Sequence, residues 1–486
     1  MQKKFGYPTS LIMPGSYEIE DHFYIKVLNA QLHSMVGYFL NLETSRIINR
    51  YCHLNPQVTE ETLLDVLQYQ PRYLRWAGAD LFHVTTERGH RKMLVVETNS
   101  CPSGQKSMPL LDESREMGGY QQLLQRTFIP LLKQKKRLPA GGLAVIYDKN
   151  YMEASGYAAV LAELMKEPVY LAGFYEGDAD PPVRFVRGGV MEVRDGEGEW
   201  HAIRAAYRYV TQRPWNRIPV ETKTWIFNPI IACLAGGRNK LIAAKAYELY
   251  NAELAGRGLK INTPETILDV FFDEIPLWVQ RFGGHAVVKN PYSNAGQGIY
   301  TITNEGELEA FMRTEQRYQK FIVQSLIGNS QWSTTGSDGK FYHVGTVPSK
   351  RNNIYVADIR MMVGGGPEGF RPVAIYARRA EKPLESRITG TSRSWEMLGT
   401  NLSYKKDDGT WGSDITRLKL MDRKDFNLLG ISLDNLIDGF IQTVLAVIAI
   451  DKMACNLMGA KGKFKKKLFY SLNSDEQLLE EIMSSS

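Results

Sequence analysis

The sequence predicts an α/β (α+β) protein, and three observations carry that expectation. Residues 143–174 read as a buried strand (LAVIYDKN), a helical stretch and a second strand (PVYLAGF), the length of a parallel crossover unit. Two pairs of short β-rich runs, residues 81–84 with 93–96 and YVADIRMMV with RPVAIYARR, are each joined by a glycine-containing turn, as in hairpins. An apolar helical pattern fills residues 433–458. With 43% hydrophobic and 23% charged positions over 486 residues, wholesale disorder is excluded. The length suits roughly two to four packed units.

The elements follow in order. Residues 17–76 read mostly as helix, and ETLLDVLQYQPRYLRW has apolar residues at helical spacing, with Pro71 as a kink or restart. The period then changes to the hairpin of residues 81–96, turned at Gly89. LPAGG at 138–142 marks a boundary before the α/β unit, with its helix at 151–166. A helix at 239–255 precedes INTPETI, which opens another element. HAVVKNPYSNAGQGIYTIT reads as two strands around a small-residue loop, residues 305–320 as helix, and KFIVQSLI as a strand. GGGPEG, between the last two strands, reads as a plain turn. The long apolar helix, a basic stretch (GKFKKKLF) and a polar tail that frays at Ser-Ser-Ser complete the chain.

Composition narrows the function classes. Lys and Arg outnumber Asp and Glu by 59 to 53, a mild excess that does not argue for nucleic acid. The start lacks the apolar run of a signal peptide. The longest apolar run, residues 444–450, is closed by Asp451 and Lys452 and reads as a buried helix, so no membrane partner is expected. Cys52, Cys101, Cys233 and Cys455 form no C-x-x-C pair, which fits reduced thiols and a cytoplasmic location. His83 and His90 read as strand-end surface residues rather than ligands. Cys101 lacks an identifiable basic partner, so it is not read as a nucleophile.

Three constellations can carry chemistry. Lys289 ends a strand before Ser293, Asn294, Ala295, Gly296, Gln297 and Gly298. Such a loop turns free backbone N–H groups toward a concave tip that attracts phosphate oxygens, and the lysine adds a point charge. A flexible hairpin loop is the plainer reading of the same residues. Asp80, Glu97 and Asn99 form the second group. Glu97 and Asn99, two apart, leave one face of one strand, and Asp80 lies on the facing strand. Three hard oxygen ligands on a rigid sheet suit Mg²⁺, although a solvated polar face would look the same. The third group is cationic: Lys240 in GGRNK before a helix, Arg360 in DIR, and Arg378 and Arg379 in YARR. Arginines there can clamp a phosphoryl group or a carboxylate. Singly, each is better explained by salt bridging, such as Arg360 with Asp358.

Together these motifs resemble the ATP-grasp family. GGRNK, INTPET and VVK with its small-residue loop, the strand FIVQSLIG, and the pair DIR and ARR have that family's character, as does GADLFHV…LVVETNSCPSG. The Glu-x-Asn strand comes early, ahead of the phosphate loop, so the order looks like the circularly permuted arrangement. The resemblance spans about residues 60–400.

The resemblance implies a permuted ATP-grasp fold. Residues 1–136 would hold a helical segment and the metal-binding part, residues 137–235 an α/β pre-ATP-grasp domain, residues 236–420 the lid and nucleotide core, and residues 421–486 a packing helix and tail. Lys240 and Lys289 would contact ATP phosphates under a lid loop of residues 293–298. Gln324, Ser325, Leu326 and Ile327 would read adenine, and Asp80, Glu97 and Asn99 would hold Mg²⁺. Arg360 and Arg379 would face the γ-phosphate and the substrate carboxylate. The acid that usually follows the hinge is absent from GNSQW, leaving Asn329, Gln331 or another residue for the ribose. The implied activity is an ADP-forming ligase that joins a small-molecule carboxylate to an amine, or a thiol, through an acyl phosphate. A kinase, an enol-phosphorylating ligase or a non-catalytic nucleotide binder are the alternatives. Residues 461–467 offer a contact for an acidic carrier protein or peptide, although a solvated helix end explains them better. A homodimer is the default assembly.

Overall fold

The computed structural model describes residues 9–483, except 113, 187, 212–214, 293–297, 317, 389–392 and 406–410. After a short strand (Ser10–Ile12) and a helical turn (Ile19–Asp21) come four short helices, Ile25–Leu28, Ser34–Leu40, Thr44–Leu54 and Glu60–Leu67. The helical pattern does not continue past Pro71 as expected. Instead, the buried Asp451 carboxylate accepts from the backbone N–H of Arg72 (3.0 Å), Tyr73 (2.6 Å) and Leu74 (2.8 Å). Those donors are satisfied without a helix, and the proline disfavours helical geometry before it.

The extended chain becomes β1 (Trp76–Thr86), which turns at Gly89 into β2 (Arg91–Ser100). Then come β3 (Gly142–Tyr147), α1 (Tyr151–Met165) and β4 (Val169–Gly173), with β3 and β4 parallel as expected. β5 (Trp200–Tyr209) lies parallel on the other side of β3. With four shorter strands they make a seven-stranded sheet. α2 (Lys240–Leu254) begins at Asn239, whose side chain accepts from Ile242 N–H at 3.2 Å.

β6 (Thr266–Phe271), β7 (Ala286–Lys289), β8 (Ile299–Ile302) and β9 (Lys320–Ser325) form a four-stranded antiparallel sheet in the order β6-β9-β7-β8. It has its own core of Val270, Ile275, Val288, Phe311 and Phe321. The helix expected over 305–320 is only Glu305–Met312, because Thr314 turns both its N–H and its hydroxyl onto the Phe311 carbonyl and closes the last turn.

The third sheet uses β10 (Gly339–His343), β11 (Ala357–Gly366) and β12 (Gly369–Arg379). It inserts the early strand β1 beside β10 and β11, and β2 pairs with β1. α3 (Leu433–Leu457) packs against β1, β2 and β11. It is long and apolar enough to cross a membrane, but 83% of its most apolar window is buried within the protein, which makes it a core helix.

His83, expected at the surface, is only 5% exposed, because alternation on β1 turns it into the protein. Residues 461, 463, 465, 466 and 467 are exposed lysines around the start of the helix Lys466–Leu472. All four cysteines are free.

Candidate active site

The register of the third sheet lines up charged residues across neighbouring strands. Glu97 lies opposite Asp80, Asp80 opposite Arg360, and Arg360 opposite Tyr376. A second row runs Phe82, Asp358, Arg378. Because alternate residues share a face, both rows look the same way. They form one wall of a cavity of about 1000 Å³, and β7, β8 and β9 supply the opposite wall. The closing end comes from the loops after β3, β4 and β5, the C-terminal ends of parallel strands, where α/β folds gather ligands.

Among the described residues, six cations (Lys106, Lys149, Arg238, Lys289, Arg360, Arg378) and four acids (Asp80, Glu97, Glu176, Asp358) line the cavity. Two of those acids are already neutralised. Arg360 makes a bidentate pair with Asp80 at 2.6 and 2.8 Å, and Arg378 bonds Asp358 at 3.0 Å while also reaching Asp80. Burial alone would raise the Asp80 carboxyl, but the two guanidiniums outweigh it and hold Asp80 well below the usual carboxylate range. Four cations and two acids of that set remain, an excess of positive charge that favours an anionic ligand.

Lys289 is 4% exposed, and its Nζ donates to the Val96 carbonyl at 3.5 Å, one residue from Glu97. Burial pushes its ammonium down to about 8, partly offset by the Glu97 charge. Lys240 lies 3.4 Å from Glu97, and its backbone N–H donates to the Pro291 carbonyl. It lines a smaller cavity that continues behind Glu97 and Lys289. Gly298 lines the main cavity, whereas Ser293, Asn294, Ala295, Gly296 and Gln297 lie outside the described residues. Gln324, Ser325, Leu326 and Ile327 all line the cavity. Leu326, however, exchanges both backbone hydrogen bonds with Thr334, which reduces the backbone left to read a base.

Two expectations shift, those for Arg379 and for the ribose, while Cys101 keeps its reading. Arg379 lies opposite Ala357 on the other face of the sheet and stacks over Tyr355 at 4.5 Å, so Arg378 takes the cleft position. Neither ribose candidate lines the cavity. Asn329 donates to the Glu385 and Ser386 carbonyls and accepts from Gln331 and Trp332 N–H, while Gln331 is exposed. Cys101 is fully buried, and burial pushes its thiol up to about 11, which leaves it inert.

The expected Mg²⁺ ligands fit in part. Both Asp80 oxygens are held by arginines, and Asn99 Oδ1 accepts from Arg238 at 2.8 Å. Glu97 is partly exposed to the cavity, and the ion pair it makes with Lys240 is longer, at 3.4 Å. Mg²⁺ needs one or two carboxylates and shares phosphate oxygens, so Glu97 suits it by type, whereas Asn99 Oδ1 would have to be shared with Arg238. Asp80 does not suit it.

Several cavity residues carried no sequence motif. Lys149 follows β3, and burial with the nearby Arg238 charge pushes it down to about 7. Lys106 is 7% exposed, and its ammonium sits 5.1 Å over the Tyr24 ring with no acidic partner among the described residues. Its loop is fixed by the buried Glu153 of α1, which accepts from Ser103 Oγ, Gly104 N–H and Gln105 N–H. The one legible signal was DKN at a parallel strand end.

No protein-family model and no curated protein matches the chain. Among solved structures, a RimK-domain ATP-grasp protein from Sphaerobacter thermophilus aligns at 12% identity and TM-score 0.29, over 53% of this chain and 96% of that one. A glutathione synthetase-like effector from Globodera pallida aligns at 10% identity and TM-score 0.36, over 71% and 81%. D-alanyl-alanine synthetase A from Vibrio cholerae aligns at 10% identity and TM-score 0.29, over 54% and 93%. These are partial likenesses, and the reading of the cleft rests on its own residues.

Proposed function

We propose that the cleft binds ATP and that the protein is an ADP-forming carboxylate–amine ligase of permuted ATP-grasp type. The observation that supports this most is the placement of Glu97, Lys289 and Arg360 on one cavity, with Lys240 at 3.4 Å from Glu97. A triphosphate seated there would lie against Lys289 and Lys240. Glu97 and Asn99 would hold Mg²⁺, which supplies charge neutralisation on the phosphate oxygens when bound.

In the first step a substrate carboxylate oxygen attacks the γ-phosphorus. The bond from that phosphorus to the β-bridging oxygen breaks, and ADP leaves. In the second step an amine nitrogen attacks the acyl carbon, phosphate departs with the electron pair, and the nitrogen loses its proton. The chain's part is positioning and electrostatics. Arg360 and Arg378, each locked by a carboxylate, present fixed positive charge to the transferring group. Loss of one such contact costs about 3–4 kcal/mol of transition-state stabilisation. Lys106, Lys149 and Arg238 at the far end suit an anionic group on the second substrate, such as the carboxylate of an amino acid or a short peptide.

A phosphate-release screen with ATP, Mg²⁺ and pairs of small acids and amines tests the reading. ADP formation that needs both partners supports it. AMP as the nucleotide product overturns it.

A further inference from the structure

Two ammoniums at the far end of the cavity have no counter-ion. Lys106 and Lys149 both line it. Among the described residues neither side chain makes a hydrogen bond or an ion pair. Each Nζ lies over an aromatic ring instead, Tyr24 at 5.1 Å for Lys106 and Tyr209 at 5.7 Å for Lys149. Neither nitrogen is sealed off, and both keep surface open to the cavity.

The acids nearby are engaged or remote. Asp148 accepts from Thr211 N–H at 3.0 and 2.9 Å and pairs with Arg217 at 3.1 Å. Glu153 is buried and accepts from Ser103 Oγ and from the N–H groups of Gly104 and Gln105. Glu176 is exposed and bonds neither lysine. The Glu153 contacts also bring the two ammoniums to one end of the cavity. Lys106 directly follows the gripped Gln105, and Lys149 stands four residues before Glu153, just past β3. Buried charges are normally paired, so two unpaired ammoniums on one cavity mark where ligand charge belongs. Arg238, the third cation there, already donates to Asn99 Oδ1 at 2.8 Å. Burial and the Arg238 charge push Lys149 down to about 7, and a bound anion would restore its full charge.

We propose that Lys106 and Lys149 select a second substrate whose non-reacting end carries two negative charges, as two carboxylates or one phosphate monoester. This rests on the ligase reading of the cleft and narrows its acceptor from an amine with some anionic group to a dianionic one. The two sources share one chemistry, and probes separate them.

The test is titration of paired amines into the full chain holding Mg²⁺ and a non-hydrolysable ATP analogue, followed by ligand-observed NMR. The pairs are glutamate with glutamine, Ala-Glu with Ala-Gln, and O-phosphoethanolamine with ethanolamine. In the wild type, the more acidic member of at least one pair should bind about tenfold more tightly than its counterpart. A preference in the first two pairs assigns carboxylates, and one in the third pair alone assigns a phosphate. Lys106→Met and Lys149→Met should each cut the preference to about threefold or less, and Lys106→Arg should keep most of it. A packing role would instead weaken both members of a pair together, and that result counts against the proposal. Equal binding within every pair, no binding of any probe, or a preference kept in both methionine variants overturns the assignment while the ATP site stands. Failure of the wild type to bind the ATP analogue overturns both.

Discussion

Adjacent arginines on a strand have opposite fates. Arg378 is buried between Asp358 and Asp80, and Arg379 stacks over Tyr355 on the other face. Arg379→Ala should therefore leave kcat within about twofold and stability within about 0.5 kcal/mol, the range of surface changes. Arg378→Ala should cost about 3–5 kcal/mol by stranding buried carboxylates. Urea melts and steady-state rates would check both, and a large activity loss in Arg379→Ala would contradict the register. Lys289 gives a pH signature. Its pKa is pushed down to about 8, so above that pH the free protein loses this positive charge. A bound triphosphate favours the ammonium, so binding takes up a proton and affinity falls as pH rises, by at most about tenfold per pH unit. Titration calorimetry from pH 7 to 9.5 should show that fall in the wild type and a flat profile in Lys289→Arg. A flat wild-type profile would refute the assignment of Lys289 to the phosphates.

At the scale of elements, the third sheet decides which acid serves which purpose. Asp80 and Glu97 are register partners, yet Asp80 is the counter-ion of two arginines, whereas Glu97 faces the cavity. Asp80→Asn should lose about 3–5 kcal/mol of stability, with or without Mg²⁺. Glu97→Gln should melt within about 1 kcal/mol of the wild type, but lose the effect of Mg²⁺ on nucleotide affinity. The reverse pattern would move the metal to Asp80. Much of the architecture was legible because it is local. Alternation and a glycine turn marked β1 with β2 and β11 with β12, and strand–helix–strand length marked the parallel unit. The pairing of Asp80 with Arg360, 280 residues away, was not legible, because long-range register leaves no local trace. The same holds for the end of the helix before Pro71, which depends on Asp451 arriving from α3. Lys149 escaped notice because its chemistry comes from burial rather than from a motif.

For the whole molecule, folding brings distant segments to one cleft. Asp451 and Asn228 fix the start of β1 by accepting from Tyr73, Leu74 and Arg75 N–H, so the early hairpin is anchored to both α3 and the seven-stranded sheet. Glu97 then faces Lys289, some two hundred residues later in the chain, across the cavity. A double-mutant cycle tests that convergence most directly. Binding of Mg²⁺ with a non-hydrolysable ATP analogue would be measured for wild type, Glu97→Gln, Lys289→Met and the double variant. Wild-type binding at one site per chain, weakened in each single variant with a coupling of about 1 kcal/mol or more between the two changes, is the expected result. Additive losses, or no binding by the wild type, would contradict a single shared triphosphate site.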